Sequence, residues 1–476
     1  MGKSLMFSAR SRMPVQATEL FAWHTREGAF ERLSPPWEPA EVVERSGPGI
    51  HEGTRVVVRI KLGPVPQTLV ARHTKYIEGS LFQDTMESGP FSRWVHNHRM
   101  WPDPPSASVL EDEVEYALPL GALGRGVGGG FARGKLEKMF AYRHAVTRED
   151  LRRHAQYAAQ GPLTVAVTGA TGLVGNSLLP FLTTGGHRVR RLVRGKPDVA
   201  RGDVQWNPGK GELDTAAMEG VDAVVHLAGE NVAQRWTPEA KERILRSRSE
   251  GTRTLCEGLS RMARKPRVLV CAAGIGFYGD RGDEVLTEES TTGEGFLAQV
   301  CREWEAATAP AREAGIRVVL LRIGVVLDPR GGALAKMLPP FLMGGGGRVG
   351  SGQQWFSWIS LEDLLGLIQA SLFRQELQGP VNVVAPQPVR QEEFARTLGR
   401  VLSRPAVLPM PGAAIRALFG EMGQETVLSG ARVRPAVAER LGFPFMHPDL
   451  ESALRFALGK TTTGPEFTHS AVASSA

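Results

Sequence analysis

Residues 168–175 read Thr-Gly-Ala-Thr-Gly-Leu-Val-Gly, and this octapeptide constrains the fold of the chain more than any other segment. A strand-like apolar run, 163–167, precedes it, and a helix-forming segment follows it. A strand, a glycine-rich turn and a helix in this order indicate a βαβ unit that binds a dinucleotide. Gly169 allows the tight turn, Gly172 lets the backbone approach a pyrophosphate, and Gly175 allows the helix to pack closely on the strand. A glycine-rich turn with a purely structural role is the alternative.

Strands and helices alternate from residue 163 to about residue 330. The predicted strands cover 163–168, 188–193, 223–227, 267–272 and 317–326. Alternation of this kind indicates a parallel, doubly wound sheet, so we predict an α/β Rossmann domain over residues 161–400. A smaller C-terminal lobe is expected over 401–460. The Ser-, Thr- and Ala-rich tail, 461–476, is expected to be disordered.

The first 150 residues follow a different pattern, in which short strand-like segments are separated by glycine and proline pairs. A helix is predicted at 17–25, and the glycine-rich stretch 121–130 leads into a long amphipathic helix that begins at Phe131. The strand-like segments are typical of antiparallel hairpins and cover residues 5–12, 38–45, 54–62, 67–78, 81–87, 92–101 and 108–118.

This order of elements resembles the START-like (SRPBCC) helix-grip superfamily of ligand-binding domains. The resemblance implies an α+β domain over residues 1–150, in which a curled sheet and its last helix enclose a cavity for an apolar ligand. Five side chains are candidates to line such a cavity, with core filling as the alternative: Phe82, Met86, Trp94, Trp101 and Met139. His96 and His98 alternate onto one strand face, but without a third ligand nearby we expect a surface location and no metal site.

Composition and charge exclude several functional classes. The 476 residues carry a net charge of +7, yet the basic residues are dispersed and accompany no nucleic-acid-binding motif. No apolar run is long enough to span a membrane, and the N-terminus lacks the apolar segment of a secretory signal. The three cysteines show no zinc-ligand spacing and fit a reducing compartment. We therefore expect a cytoplasmic protein with a small-molecule substrate, no nucleic-acid partner and no membrane span.

The second predicted strand of the Rossmann domain indicates which dinucleotide is bound. Folds that prefer NAD place an acidic side chain after this strand to hold the ribose 2′-hydroxyl. Here the strand ends without an acid, and Arg194 lies 25 positions after Gly169. Since a guanidinium binds phosphate oxygens bidentately, NADP(H) is favoured over NAD(H), with a solvated arginine as the alternative. The expected cofactor-binding residues are Gly169, Ala170, Thr171, Gly172, Leu173, Val174, Gly175, Arg194, Leu227, Ala228 and Gly229.

Motifs across residues 163–454 resemble the extended short-chain dehydrogenase/reductase superfamily, and more closely an atypical epimerase-like branch of unknown substrate. The octapeptide, the strand end at 226–229, Gly251-Thr252 and Tyr278-Gly279 carry the superfamily likeness. The likeness to the branch rests on segments 235–237, 247–248, 276–280, 296–304 and 355–359, and on 430–435 and 441–443 of a small C-terminal domain of unknown function. The resemblance implies an oxidoreductase or epimerase-like activity on a small molecule.

The usual acid–base residues of the superfamily are missing from this sequence. Its members use a Tyr with a Lys four residues later, a Ser or Thr on the fifth strand and an Asn on the preceding helix. The Tyr and Lys positions correspond to Phe296 and Val300, neither of which can move a proton. The Ser position falls on Ala273 or Gly274, and the Asn position falls on Arg248.

Replacement residues are expected at the carboxyl ends of the strands, where open α/β sheets bind ligands. Tyr278 follows the fifth strand and is the candidate catalytic proton donor. A packing tyrosine with a hydrogen-bonded hydroxyl is the alternative for this residue. The candidate substrate-binding residues, for which a salt-bridged loop or core packing is the alternative, are Glu230, Arg235, Arg248 and Trp358.

Three functions are consistent with these observations. The first is an NADP(H)-dependent oxidoreductase or epimerase-like enzyme that acts on an unidentified small molecule and has an N-terminal domain for an apolar ligand. The second is a non-catalytic NADP(H) sensor or scaffold, and the third is an apolar-ligand carrier regulated by the nucleotide domain. The first is the leading hypothesis, because an activated acceptor such as a conjugated alkene or a quinone-like ring has less need of a dedicated acid–base residue.

Overall fold

The computed structural model describes residues 4–47, 49–62, 65–119, 121–461 and 464–471. The chain forms two compact units. One comprises Met1–Gly161, Pro180–Gly186 and Leu458–Ala476, and the other comprises Pro162–Leu179 and His187–Ala457. None of the helices in the described ranges combines the length and the hydropathy that a bilayer crossing requires.

The N-terminal unit is built on an eight-stranded antiparallel sheet. Its strands, in their order across the sheet, are Glu41–Ser46, Arg55–Leu62, Val65–Ile77, Leu81–Ser88, Arg93–Asp103, Ala107–Ala117, Leu5–Met13 and Glu466–Ala471. Its helical segments are Ala17–Thr25, Ala29–Leu33, Gly121–Ala155 and Ala158–Gln160. Phe7, Val114 and Tyr116 of the sheet pack with Leu136 and Phe140 of the long helix in one apolar cluster. The predicted helix-grip architecture is thereby confirmed.

The long helix of this unit begins earlier than the sequence suggested. The glycine-rich stretch 121–130 lies within the helix Gly121–Ala155 instead of leading into it. Glycine destabilises a helix by only about 1 kcal/mol per residue relative to alanine. The packing of a long helix can therefore stabilise the helical conformation across such a stretch.

The C-terminal tail also differs from the prediction. The expectation of disorder over 461–476 is wrong for Glu466–Ala471, which pairs antiparallel with the first strand. The ring of Phe467 lies 5.7 Å from the ring of Phe7, so the tail adds an apolar contact to the core. The Ser-, Thr- and Ala-rich composition of the tail does not indicate this contact. Residues 462, 463 and 472–476 lie outside the described part of the chain.

His96 and His98 are buried, with 3% and 8% of their surfaces exposed, so the expected surface location is wrong. The expected lack of a third ligand is also wrong, because Asp84 on the neighbouring strand lies close to both imidazoles. His96 and His98 alternate on one strand, and Asp84 lies on the adjacent strand. Only the pairing register between these two strands shows that the three side chains meet.

The second unit contains the predicted doubly wound sheet. Its strands, in their order across the sheet, are Glu212–Leu213, Val204–Asn207, Arg188–Val193, Thr164–Thr168, Ala223–His226, Val268–Gly274, Arg317–Ile323 and Gly379–Val383. All neighbouring strands are parallel except Glu212–Leu213. Its helices are Leu173–Thr184, Pro238–Arg261, Phe296–Ala306, Ala309–Glu313, Gly332–Leu342, Leu361–Phe373, Gln391–Leu402, Gly412–Gly423, Ala436–Arg440 and Leu450–Ala457. The predicted α/β Rossmann fold is therefore confirmed.

Short strand pairs lie outside the main sheet of this unit. They are Val285–Leu286 with Arg432–Val433, Val325–Leu327 with Trp358–Ser360, and Trp355–Phe356 with Val389–Arg390. The strand predicted at 317–326 is divided at Gly324, after which the chain leaves the sheet. A Cβ atom on Gly324 would lie 2.8 Å from Ser357 O, so the close approach of these two segments requires glycine.

Candidate functional site

The glycine-rich turn has the close backbone packing that its sequence predicts. Gly169 has a φ of +69°, and a Cβ atom there would lie 2.8 Å from the carbonyl carbon of Leu227. A Cβ atom on Gly175 would lie 2.2 Å from Gly169 O. The amide of Gly172 donates a 3.0 Å hydrogen bond to that same oxygen. Thr171 and Gly172 are exposed beside the start of the helix Leu173–Thr184, where the first helical amides suit a phosphate group.

A buried polar clamp, which the sequence analysis did not identify, joins the turn to the neighbouring strand. Thr168 Oγ1 accepts hydrogen bonds of 3.1 Å from the amides of Leu227 and Ala228. Its hydroxyl therefore donates to His226 Nδ1, 2.7 Å away, and His226 Nε2 donates to Thr252 Oγ1 at 2.9 Å. Burial lowers the pKa of His226 to about 3, so the imidazole is neutral. The clamp fixes the strand end 227–229 against the cradle.

The arginines at the end of the second strand have different environments. The guanidinium of Arg190 donates to the carbonyl oxygens of Ala217 and Glu219. The guanidinium of Arg191 forms a bidentate ion pair with Asp203, at 2.7 and 2.8 Å. Arg194 is exposed at the carboxyl end of the strand, and among the described residues its guanidinium has no partner. Of these three, Arg194 alone is available to an anionic ligand.

Arg248 lies at the carboxyl ends of the central strands. It is only 8% exposed, and its guanidinium lies over the indole ring of Trp304 and donates to Ile244 O at 3.2 Å. A Cβ atom on Gly229 would lie 3.0 Å from the guanidinium carbon, so the cation reaches the end of the strand that follows the clamp. Burial lowers the pKa of Arg248, yet a guanidinium remains charged in proteins.

The positions of the superfamily's Tyr and Lys hold apolar side chains in the structure. Phe296 and Val300 pack with Trp236, Ile244 and Met422 in a buried cluster. The ring of Phe296 makes an edge contact with Trp236, with centroids 4.9 Å apart. The wall that carries the proton-transfer pair in other members is therefore hydrophobic in this protein.

A carboxylate caps the helix that begins at Phe296. Glu425 accepts hydrogen bonds from the amides of Phe296 and Leu297, at 2.9 and 3.0 Å. Because these are amides of the first turn, the carboxylate neutralises the positive end of the helix dipole. Sequence reasoning missed this residue, since Glu425 lies 129 positions from Phe296 and only the fold brings them together.

Tyr278 does not have the exposure that its predicted catalytic role requires. Its side chain is fully buried, and its hydroxyl lies 2.7 Å from Asn382 Oδ1 and 2.9 Å from Thr287 O. The same oxygen accepts a 3.0 Å hydrogen bond from Arg322. Burial raises the pKa of Tyr278, which makes proton release harder still. These contacts favour the alternative, a packing tyrosine with a hydrogen-bonded hydroxyl, over the predicted catalytic role.

The candidate substrate residues divide into buried and accessible groups. Trp358 is fully buried, and its Nε1 donates to Gln387 O at 3.1 Å, which favours the alternative of core packing over the predicted substrate contact. Glu230 accepts a 3.2 Å hydrogen bond from Gln234. Arg235 is exposed. Glu230, Arg235 and Arg248 therefore remain the substrate-binding candidates.

Comparisons with known families agree with this geometry. Residues 165–383 match the NAD dependent epimerase/dehydratase family, and residues 410–457 match a domain of unknown function, DUF1731. Residues 13–140 match the family described as polyketide cyclase / dehydrase and lipid transport.

Individual proteins are also similar. The epimerase family protein Mb2239 of Mycobacterium bovis is 43% identical over 294 residues, which are 62% of this chain and 97% of that protein. A nucleoside-diphosphate sugar epimerase structure from Corynebacterium glutamicum is 33% identical with a TM-score of 0.77, covering 95% of this chain and 90% of that chain. The human epimerase family protein SDR39U1, solved with NADPH, is 32% identical with a TM-score of 0.58, covering 63% of this chain and 100% of that one.

Proposed function

The chain belongs to the epimerase family of short-chain dehydrogenase/reductase-like proteins, and from this premise we propose that it is an NADP(H)-dependent oxidoreductase or epimerase-like enzyme for a small, anionic substrate. The observation that carries the proposal is the combination of the glycine cradle with Arg194, which is exposed at the end of the second strand and has no side-chain partner among the residues that the structure describes. A ribose 2′-phosphate is the group that distinguishes NADP(H) from NAD(H), and a guanidinium suits it.

The chain's residues fit this cofactor. The cradle offers amides at the start of the helix Leu173–Thr184 for the pyrophosphate, and Gly169 and Gly175 occupy positions that a Cβ atom would block. NADPH is bound by the human relative SDR39U1, which supports the same choice for this chain. When bound, the nicotinamide supplies or accepts a hydride. The cofactor set proposed is residues 169–175, Arg194 and residues 227–229.

Arg248 defines the substrate class in this proposal. It is a buried cation at the carboxyl end of the sheet, where ligands bind, and no carboxylate among the described residues forms an ion pair with it. A buried charge without a counter-ion is costly, so a carboxylate or phosphate of the substrate is the natural partner. Glu230 and Arg235 flank the same strand end and complete the proposed substrate surface.

The proposed reaction takes its proton from water or from the substrate. Phe296 and Val300 offer no transferable proton, and Tyr278 is held inside a buried network. Hydride transfer to an activated acceptor, such as a conjugated alkene or a quinone-like ring, is compatible with such a site. Nicotinamide absorbance in the presence of panels of carbonyl, enone and quinone acceptors tests this directly. Oxidation of NADPH by anionic activated acceptors is expected, whereas no oxidation by any panel would contradict the proposal.

The hydrophobic wall of Phe296 and Val300 also favours a second candidate, a non-catalytic NADP(H) sensor. A sensor binds NADPH and NADP⁺ with different affinities and turns over neither. Equilibrium titration with each form, combined with the acceptor panel, separates the two functions.

We further propose that the N-terminal unit binds a small apolar ligand, on the basis of its match to the polyketide cyclase and lipid transport family and of its apolar cluster around Phe21, Phe82 and Met100. Native mass spectrometry of the full chain purified from cells tests for a retained ligand.

The proposed domains are 1–150, 161–400 and 401–460. Three free, buried cysteines favour a cytoplasmic location.

A further inference from the structure

A cluster of histidine and aspartate side chains lies inside the N-terminal unit, in a region to which the proposed reaction assigns no role. Asp84 is paired with His96 across two neighbouring strands, and His98 is paired with Asp112 across the next two. Since residues two apart share one face of a strand, all four side chains lie on the same face of the sheet. His144 of the helix Gly121–Ala155 contacts Asp112 on that face, so sheet and helix enclose the cluster.

Three donor atoms of this cluster are spaced like ligands of a single ion. Asp84 Oδ2 lies 3.3 Å from His96 Nδ1 and 3.5 Å from His98 Nε2. All three atoms lie within 4.8 Å of one another. Donor atoms bound to one ion at about 2.1 Å are separated by about 3.0 Å at octahedral angles and by about 3.4 Å at tetrahedral angles. A metal ion fits between the three atoms with small adjustments.

The opposite nitrogens of both imidazoles face a second carboxylate. His96 Nε2 forms a 2.9 Å hydrogen bond with Asp112 Oδ1, and His98 Nδ1 lies 2.7 Å from the same oxygen, outside hydrogen-bonding geometry. The other oxygen of Asp112 is 2.7 Å from His144 Nε2. A carboxylate that orients the rings of metal-binding histidines is the usual arrangement around a protein metal site. Asp112 and His144 therefore position the ligands, through the hydrogen bonds that Asp112 makes with His96 and His144.

The charges of the cluster also call for a cation. With neutral imidazoles, Asp84 and Asp112 are two negative charges in a largely buried environment. Arg143, on the same helix as His144, offsets part of this negative charge at a distance, while its guanidinium donates to Leu33 O at 3.2 Å. Protonation of an imidazole is the competing way to balance the remaining negative charge, and metal titration of the folded protein distinguishes the two.

We propose that Asp84, His96 and His98 form a mononuclear site for a divalent first-row transition metal. Two imidazoles and one carboxylate suit Zn²⁺, Fe²⁺ or Co²⁺, whereas Ca²⁺ and Mg²⁺ favour all-oxygen ligands. His73 is a candidate fourth ligand, because it lies opposite Asp84 in the strand register and its buried Nδ1 has no hydrogen-bond partner within the described part of the chain. Three protein ligands would leave coordination positions open to a small molecule, as in catalytic metal sites.

The test uses the untagged full chain, stripped with chelator and dialysed against metal-free buffer. Zn²⁺ binding is measured by calorimetry, metal content by mass spectrometry, and ligand geometry by the visible absorption of added Co²⁺. The expected result is one ion per chain, a Co²⁺ spectrum of mixed nitrogen and oxygen ligation, and a higher melting temperature with metal. Wild-type protein that is folded yet binds less than about a tenth of an equivalent of added Zn²⁺, with no Co²⁺ absorption, would overturn the proposal in favour of a protonated His–Asp network.

Variants assign the site to the named residues. His98→Gln and Asp84→Asn are expected to lower Zn²⁺ affinity at least about 100-fold, and Asp112→Asn about 10- to 100-fold. His51→Gln is the matched control, because His51 is an exposed histidine of the same unit outside the cluster. Unchanged stoichiometry and affinity in the folded His98→Gln and Asp84→Asn proteins would contradict the assignment. If these variants do not fold, the metal stoichiometry and the Co²⁺ spectrum of the wild-type protein decide whether the chain binds one ion as proposed.

Discussion

The guanidinium of Arg248 lies 4.8 Å from the centre of the Trp304 indole ring, at the position where the superfamily resemblance implies an asparagine. The stacked arrangement holds a buried cation toward the strand end at Gly229. An asparagine at this place supports a water relay, whereas an arginine provides a positive charge for an anion. The substitution therefore changes the expected role from proton transfer to substrate binding.

Replacing Arg248 with glutamine is expected to weaken the binding of anionic acceptors. Loss of charge-assisted hydrogen bonds costs about 1.5–3 kcal/mol, which corresponds to an increase of about 10- to 100-fold in KM. The affinity for NADPH should change little. The control is Arg246→Gln on the same helix, where an exposed arginine pairs with Glu250. Equal KM changes for carboxylate-bearing acceptors and for their uncharged amides would contradict this role.

Replacing Gly175 with alanine is expected to disrupt the cradle. The new Cβ atom would meet Gly169 O at 2.2 Å, and neither backbone segment can yield without moving the turn. We expect NADPH affinity to fall by about 100-fold or more, together with a loss of stability of about 1–3 kcal/mol. Gly209→Ala is the control, because a Cβ atom there would meet its nearest neighbour at an ordinary 3.5 Å. Equal NADPH dissociation constants for the two variants would count against the cradle.

Replacing Tyr278 with phenylalanine separates a packing role from a catalytic one. Arg322 and Asn382 would lose a buried hydrogen-bond partner, so the free energy of unfolding should fall by about 1–3 kcal/mol. Turnover per folded molecule should be unchanged. Denaturant unfolding and NADPH oxidation are measured on the same samples. A variant as stable as the wild type but without turnover would restore Tyr278 to the catalytic set.

Replacing Glu425 with alanine removes the cap of the helix that begins at Phe296. The expected loss in the free energy of unfolding is about 1–2 kcal/mol, because a first-turn amide pair and the helix dipole lose their carboxylate. Glu421→Ala, which removes an exposed ion pair with Lys241, is the control and should cost less than about 1 kcal/mol. Urea unfolding curves measure the loss in the free energy of unfolding for both variants. Equal losses would contradict a specific stabilising role of the Glu425 cap.

The sequence predicted those parts of the fold that depend on local pattern. The helix Ala17–Thr25 and the strand Arg188–Val193 have the predicted bounds, because period-two and helical periodicities and glycine turns are local signals. The tail strand Glu466–Ala471 was missed because its partner strand, Leu5–Met13, lies at the other end of the chain. Long-range pairing leaves little trace in composition.

The features of the candidate site also divide into those that follow from a local sequence pattern and those that depend on contacts with distant residues. The close backbone packing of the turn follows from three glycines in one octapeptide, so the sequence alone indicated it, and the cofactor-binding role of the turn stays a prediction. Tyr278 and Trp358 were assigned to the site because they follow strands, but burial and hydrogen-bond partners decide such roles, and these depend on distant residues such as Asn382. The Asp84–His96–His98 cluster was missed for a related reason, since its third member lies on another strand.

The most direct measurement is the ratio of NADPH to NADH dissociation constants, determined by equilibrium titration for the wild type and for Arg194→Ala. We expect the wild type to bind NADPH about 100-fold more tightly than NADH, and we expect Arg194→Ala to lose about 10- to 100-fold in NADPH affinity while its NADH affinity stays the same. Arg188→Ala, an exposed arginine at the other end of the same strand, should leave both constants unchanged. Equal affinities of the wild type for the two dinucleotides, or an Arg194→Ala variant with wild-type NADPH affinity, would contradict the account.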